Sequence, residues 1–229
     1  MRIAKKIIAA LLCFVIAAAN GLTAFAAPSS WAQEQVTAAI EENLVPQNLR
    51  SNYTQPMTRA EFSALAVALY EIVNGEITGR ITFTDTEDVN VEKAAYIGIV
   101  SGVGDNRFNP DETLTREQAA VMLSRLSDVI SSIPFPPFPR QPVNFADNDS
   151  ISPWAAESVG RVLAAGIMSG VGDNRFAPNQ PYTREQGIVT ILKTLEWVRM
   201  QDRERTYDEN PVLSEGTPLA PPGWTLPPD

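Results

Sequence analysis

The sequence contains no histidine and one cysteine among its 229 residues. Without imidazole there is no Ser-His-Asp or Cys-His catalysis, no histidine-ligated metal and no side chain that switches charge near neutral pH by its ordinary pKa. Cations are also scarce: 18 Lys+Arg stand against 27 Asp+Glu, a formal net charge of −9. Binding to nucleic acid draws its affinity from lysine and arginine displacing counterions at phosphates, so an acidic chain is a poor candidate for it. Hydrophobic residues make up 44% of the chain, enough to build a core, and whole-chain disorder is excluded.

The amino terminus carries Arg2, Lys5 and Lys6, then an apolar block from Ile7, then Ala24-Phe25-Ala26. That order of basic, apolar and small residues is expected of a secretory signal peptide spanning 1 to 26, cleaved after Ala26. The apolar block falls short of the roughly 20 residues needed to span a bilayer, so no membrane span is expected after cleavage. Cys13 follows Leu12 rather than a small residue, which argues against lipidation. The exported chain would then hold 15 cations against 27 acids, a net charge of −12, with neither thiol nor imidazole. No disulfide could form in it, and its stability would come from packing.

Ser101-Gly-Val-Gly-Asp-Asn-Arg-Phe108 recurs unchanged as Ser169-Gly-Val-Gly-Asp-Asn-Arg-Phe176. Each copy leads to a proline, Pro110 or Pro178, and then to Thr-Arg-Glu-Gln at 115 to 118 or 183 to 186. A degenerate copy, Thr58-Arg59-Ala60-Glu61, opens the apolar-periodic run Phe62, Leu65, Ala66, Leu69, Ile72. The front halves repeat as well: Trp31 and Trp154 stand fourteen residues before Val45 and Met168, with Val36 and Val159 in register. Both read as amphipathic helices ending in a turn. The unit is therefore helix, glycine-containing loop, helix, with boundaries at 28 to 75, 83 to 131 and 145 to 200. The second unit is shorter in front and lacks the tryptophan, so its first helix should be shorter or start differently. The proline-rich linker at 132 to 144 cannot be helical and is expected to be extended. After residue 200 a charged stretch and then a proline-rich tail follow, expected to be disordered or polyproline-like.

Thr58, Thr115 and Thr183 each have Glu or Gln three residues on, the pattern of a capping box. Capping accounts for the threonine and the Glu/Gln but not for Arg59, Arg116 and Arg184, which fall at the first helical position, where the helix dipole disfavours a cation. An anion placed there would make the position favourable; an internal carboxylate such as Asp85, Asp147, Asp105 or Asp173 would do so equally. Both explanations stand on the residues alone.

In the loop, Gly102, Gly104, Asp105 and Asn106, with Gly170, Gly172, Asp173 and Asn174, supply residues that tolerate positive φ. Calcium binding is disfavoured because Arg107 and Phe108 occupy positions where ligands would be wanted, so neither a metal nor a cofactor is expected. Phe108 and Phe176 should pack inward. Trp31 and Trp154 are expected in the core by the area tryptophan usually buries, with a sugar-stacking platform as the alternative.

The ordered set Phe-x-Asp, Trp-Ala, Gly-Ile, Ser-Gly-x-Gly-Asp-x-x-Phe-x-Pro and Thr-Arg-Ala-Glu or Thr-Arg-Glu-Gln resembles the S-layer homology (SLH) family over residues 28 to 200. The resemblance implies an all-α fold, three helix-loop-helix repeats in a pseudo-threefold bundle with grooves between lobes. It implies non-covalent attachment to the cell wall through anionic, in many members pyruvylated, secondary cell-wall polysaccharide. Carried over residue by residue, the binding set would be Arg59, Arg116 and Arg184, Asp85 and Asp147, Trp31 and Trp154, and Gly102 and Gly170. The first repeat lacks Phe-x-Asp and has 46 to 53 in place of the Gly-Asp-Asn-Arg-Phe loop, so one or two competent grooves are expected.

The leading reading is thus a secreted, non-enzymatic wall-binding protein. A second makes it a subunit or small scaffold of a surface layer, its tail contacting another surface protein. Paired-carboxylate glycoside hydrolysis is the one catalytic option the composition leaves, and it needs two acids a fixed distance apart across a sugar cleft. The acids singled out above already have turn, capping or ion-pair roles.

Overall fold

A computed structural model describes residues 27 to 130 and 138 to 209, with side chains as far as 204. Residues 1 to 26, where a signal peptide is expected, residues 131 to 137 of the linker and the proline-rich tail from 210 lie outside the described residues. Six α-helices follow one another: α1 Gln33–Glu41, α2 Arg59–Asn74, α3 Val89–Tyr96, α4 Arg116–Val129, α5 Ala156–Ala164 and α6 Arg184–Glu209. The fold is all-α, three units of helix, loop and helix, as expected.

Each unit's second helix packs against the first helix of the next unit. The pairs are α2 on α3, α4 on α5, and α6 back on α1, which closes the circle. Equivalent ion pairs cross the first two contacts, Lys93 to Glu71 at 2.5 Å and Arg161 to Asp128 at 2.5 Å. The third uses Arg199 and Glu42 instead, bidentate at 2.7 and 2.8 Å.

A ring of three backbone hydrogen bonds marks the pseudo-threefold axis. The Met57 N–H donates to the Tyr182 carbonyl at 2.7 Å, Tyr182 N–H to Leu114 at 2.8 Å, and Leu114 N–H to Met57 at 2.9 Å. Met57, Leu114 and Tyr182 are fully buried there, so the residue just before each cap threonine serves the core. The axis is tight: a Cβ on Gly187 would come within 2.7 Å of the Met57 sulfur, so glycine admits that close approach.

α3 is one residue shorter than α1 and α5 and is capped by the Asp88 carboxylate, which accepts from Asn90 N–H at 2.8 Å. Two differences from expectation concern the ends of the third unit. The helix of that unit runs on to Glu209, nine residues beyond the boundary set at 200, because no proline or glycine follows Met200 before Pro211. The described end of the linker is docked: Phe138 is buried, with its ring edge-on to Trp197 at 4.8 Å between centroids.

Candidate functional site

All three capping boxes form. Thr58, Thr115 and Thr183 accept from the N–H three residues on, and Glu61, Gln118 and Gln186 accept from the threonine N–H. The next two N–H groups of each helix cross to the following unit. Arg59 and Ala60 donate to Glu112 and Pro110, Arg116 and Glu117 to Gln180 and Pro178, Arg184 and Glu185 to Gln55 and Tyr53. The amides that would greet an anion at these helix starts are therefore engaged by protein, which leaves the guanidinium groups as the donors available.

Each guanidinium also reaches across to the next unit. Arg59 donates from Nε to the Phe108 carbonyl at 3.0 Å and from Nη2 to the Ser101 carbonyl at 3.0 Å, and stacks 4.5 Å above the Phe108 ring centroid. Arg116 repeats this with Phe176 at 2.8 Å, Ser169 at 2.7 Å and the Phe176 ring at 4.9 Å. Arg184 departs from it, pairing with both Glu61 carboxylate oxygens at 2.5 and 3.2 Å and with the Ser51 carbonyl at 3.2 Å. Among the described residues neither Arg59 nor Arg116 has a carboxylate within ion-pair distance. Burial, the largest influence, lowers the pKa of both, yet guanidinium stays charged throughout the physiological range. Arg116 is only 5% exposed, whereas Arg59 is half-buried.

The internal carboxylates considered as partners for these arginines are used elsewhere. Asp85 accepts from Phe108 and Asn109 N–H, both at 2.8 Å, and Asp147 accepts from Phe176 and Ala177 N–H at the same distance. Backbone donation from Phe108 chiefly lowers the Asp85 pKa. At Asp147 burial pulls upward and is outweighed by donation from Phe176 and Ala177. Asp85 also lies 3.7 Å from Arg107, and Asp173 lies 3.8 Å from Arg175 of its own loop. These aspartates fasten each loop within its own unit, while the arginine grips that loop from the unit before.

The loop is a tight hairpin in which Asp105 and Asn106, and likewise Asp173 and Asn174, take positive φ, as a type I′ turn requires. Gly104 and Gly172 share positive φ, but Gly102 and Gly170 do not, which corrects the reading of them as turn glycines. They are glycine for closeness: a Cβ on Gly102 would meet the Arg107 carbonyl at 2.9 Å and the Phe83 ring at 3.0 Å, and Gly170 has the same contacts with Arg175 and Phe145. Phe108 and Phe176 pack fully inward as expected.

Trp31 and Trp154 are not in the core; they are 52% and 59% exposed. The residues that seat them escaped the sequence reading. Glu117, buried, accepts from Ser152 N–H and hydroxyl at 2.9 Å, two residues before Trp154. Glu185 holds Ser29 in the same way, two residues before Trp31. The signal was present: Glu follows Arg in the second and third units while Ala60 follows it in the first, and Ser29 and Ser152 keep register with the tryptophans. Because α1 packs on α6 and α5 on α4, Trp31 belongs to the junction of Arg184 and Trp154 to that of Arg116. Thr86 takes the tryptophan's register at the junction of Arg59.

A closed ring of three helical units, each second helix packed on the first helix of the next unit, defines a cyclic repeat module. The family model of the S-layer homology domain matches residues 82–120 and 144–186. The chain is 26% identical to the surface-layer 125 kDa protein of Lysinibacillus sphaericus over 88% of its length and 18% of that protein. It is 28% identical to an amylopullulanase of Thermoanaerobacterium thermosulfurigenes, covering 73% of this chain and 9% of that one. An endoglucanase of Bacillus sp. (strain KSM-635) is 27% identical over 81% of this chain and 20% of its own. The chain thus spans a fifth or less of each of these relatives. Among the described residues no helix is long and apolar enough to cross a membrane.

Proposed function

We propose that the protein attaches non-covalently to the bacterial cell wall by binding anionic, pyruvylated secondary cell-wall polysaccharide at the junctions between its repeats, and that it does so at the cell surface without catalysing a reaction. The observation that carries this is the contrast among the three arginines. Arg184 is neutralised by Glu61, whereas Arg59 and Arg116 are held in place by carbonyl groups and an aromatic face with no carboxylate against them. A fixed cation with no carboxylate in ion-pair contact, at a junction that also carries an exposed aromatic face such as Trp154, suits a saccharide bearing an acid group. Residues 28 to 75 act in this reading as a degenerate first repeat that closes the ring and supplies Arg59. Asp85, Asp147, Gly102 and Gly170 shape the loops that border the junctions.

The test is retention of the purified protein by wall sacculi, before and after the polysaccharide is chemically stripped. Retention that depends on the polymer, and that is competed by its acidic fragments but not by de-pyruvylated ones, supports the reading. Equal retention by stripped walls contradicts it.

The surface-layer relative, aligned over 88% of the chain, favours a second reading in which the protein is a subunit or small scaffold of a surface layer. Light scattering in the presence of wall polymer distinguishes the two, since a layer subunit assembles and an anchor alone stays monomeric.

A further inference from the structure

The three junctions are not equally equipped. Ten residues after each cap threonine the second helix carries Ala68, Arg125 and Lys193 in turn. Lys193 lies partly buried with its ammonium on the Gly166 carbonyl at 3.4 Å. Arg125 is exposed, and its Nη1 donates to the Ser101 hydroxyl at 3.1 Å. Arg59 donates to the carbonyl of that same serine at 3.0 Å. Two guanidinium groups from different units thus converge on one residue of the first junction. Among the described residues no carboxylate lies within ion-pair distance of either. The nearby acids, Asp85 on the loop amides and Glu112 on the Asn109 side chain at 3.4 Å, favour the charged form of Arg59 from beyond ion-pair contact.

Like charges held side by side are unfavourable unless an anion joins them. This junction is also the one with Thr86 where the others have tryptophan. We infer that Arg125 and Arg59 together form an anion-binding pair at the junction of the first and second units, which takes the acid group of an acidic saccharide and replaces tryptophan stacking with a second charge. The inference rests on the acidic-glycan reading above and adds to it a residue, Arg125, and a site.

The test titrates the full protein with three probes: a hexosamine glycoside bearing a 4,6-pyruvyl ketal, the same glycoside bearing a 6-phosphate, and the neutral parent. One charged probe is expected to bind more tightly than the neutral parent, and which of the two does so identifies the acid group. Arg125→Ala should weaken that probe by at least about tenfold, the scale of one lost charge-assisted contact, without altering the thermal melt. Arg203→Ala, the loss of an exposed cation from α6, should leave it unchanged. Binding unchanged by Arg125→Ala but weakened by Arg59→Lys, which keeps a donor for the junction, overturns the pair and leaves wall binding standing. Binding indifferent to Arg59→Lys, Arg116→Lys and Arg125→Ala, or equal for neutral and charged probes, overturns the acidic-glycan reading itself.

Discussion

Arg184 and Arg116 sit at the same position of the same motif and have different surroundings, so they should fail differently when replaced. Arg184→Ala removes one partner of a mostly buried bidentate pair and leaves Glu61 uncompensated. A loss of about 2 kcal/mol, below the range for fully buried pairs because both side chains keep some exposure, is expected in urea unfolding. Retention on walls should be little changed in folded Arg184→Lys. Tyr182 should make the stability of the protein sensitive to alkali. Its phenol is buried and bonded to Thr190 at 2.9 Å; burial, the largest effect, pushes its pKa from 10.0 up to about 12. The unfolded chain releases this proton first, so the stabilisation is complete below pH 10 and is lost as pH rises from 10.0 to about 12. The loss should reach about 2 to 3 kcal/mol, read as a falling urea midpoint that Tyr182→Phe flattens.

At the scale of the elements, what was legible in the sequence is what is local. The threonine and the Glu or Gln three residues on meet within one helical turn, so the capping boxes and the helix-loop-helix unit follow from spacing alone. The partner of each arginine was not legible, because it lies in the next unit, 42 to 53 residues away in the case of Ser101 and Ser169. Nor was the seat of Trp31, which depends on Glu185 from the far end of the chain. Tryptophan's usual burial pointed to the core, and a buried Glu at the start of the facing helix overrides it by fixing the backbone two residues before each ring. The loop's glycines divide by the same distinction. Gly102→Ala, blocked by a carbonyl of its own loop and by the Phe83 ring at the entry of the same unit, should destabilise by about 1 to 3 kcal/mol as overpacking does, measured by thermal unfolding of the purified variant.

For the whole molecule the decisive property is closure. Every second helix finds its partner in the following unit and the last returns to the first, so no unit carries a complete helix pair of its own. A chain ending at residue 143 would lack α5 and α6, leaving α4 and α1 without partners and the ring of Met57, Leu114 and Tyr182 broken. It should show no cooperative thermal transition by circular dichroism, whereas the full chain should unfold in one. On the proposed function, closure is also what would let a chain with 27 acids and few cations hold an acidic polymer. Arg59 and Arg116 are each fixed by two carbonyl groups and one aromatic ring of the following unit, and their charge is therefore local and oriented rather than spread over the surface. The most direct measurement is retention of the purified protein on sacculi with and without their secondary polysaccharide. The account predicts retention by intact walls, loss after stripping, and release by acidic fragments of the polymer; equal retention by stripped walls would contradict it.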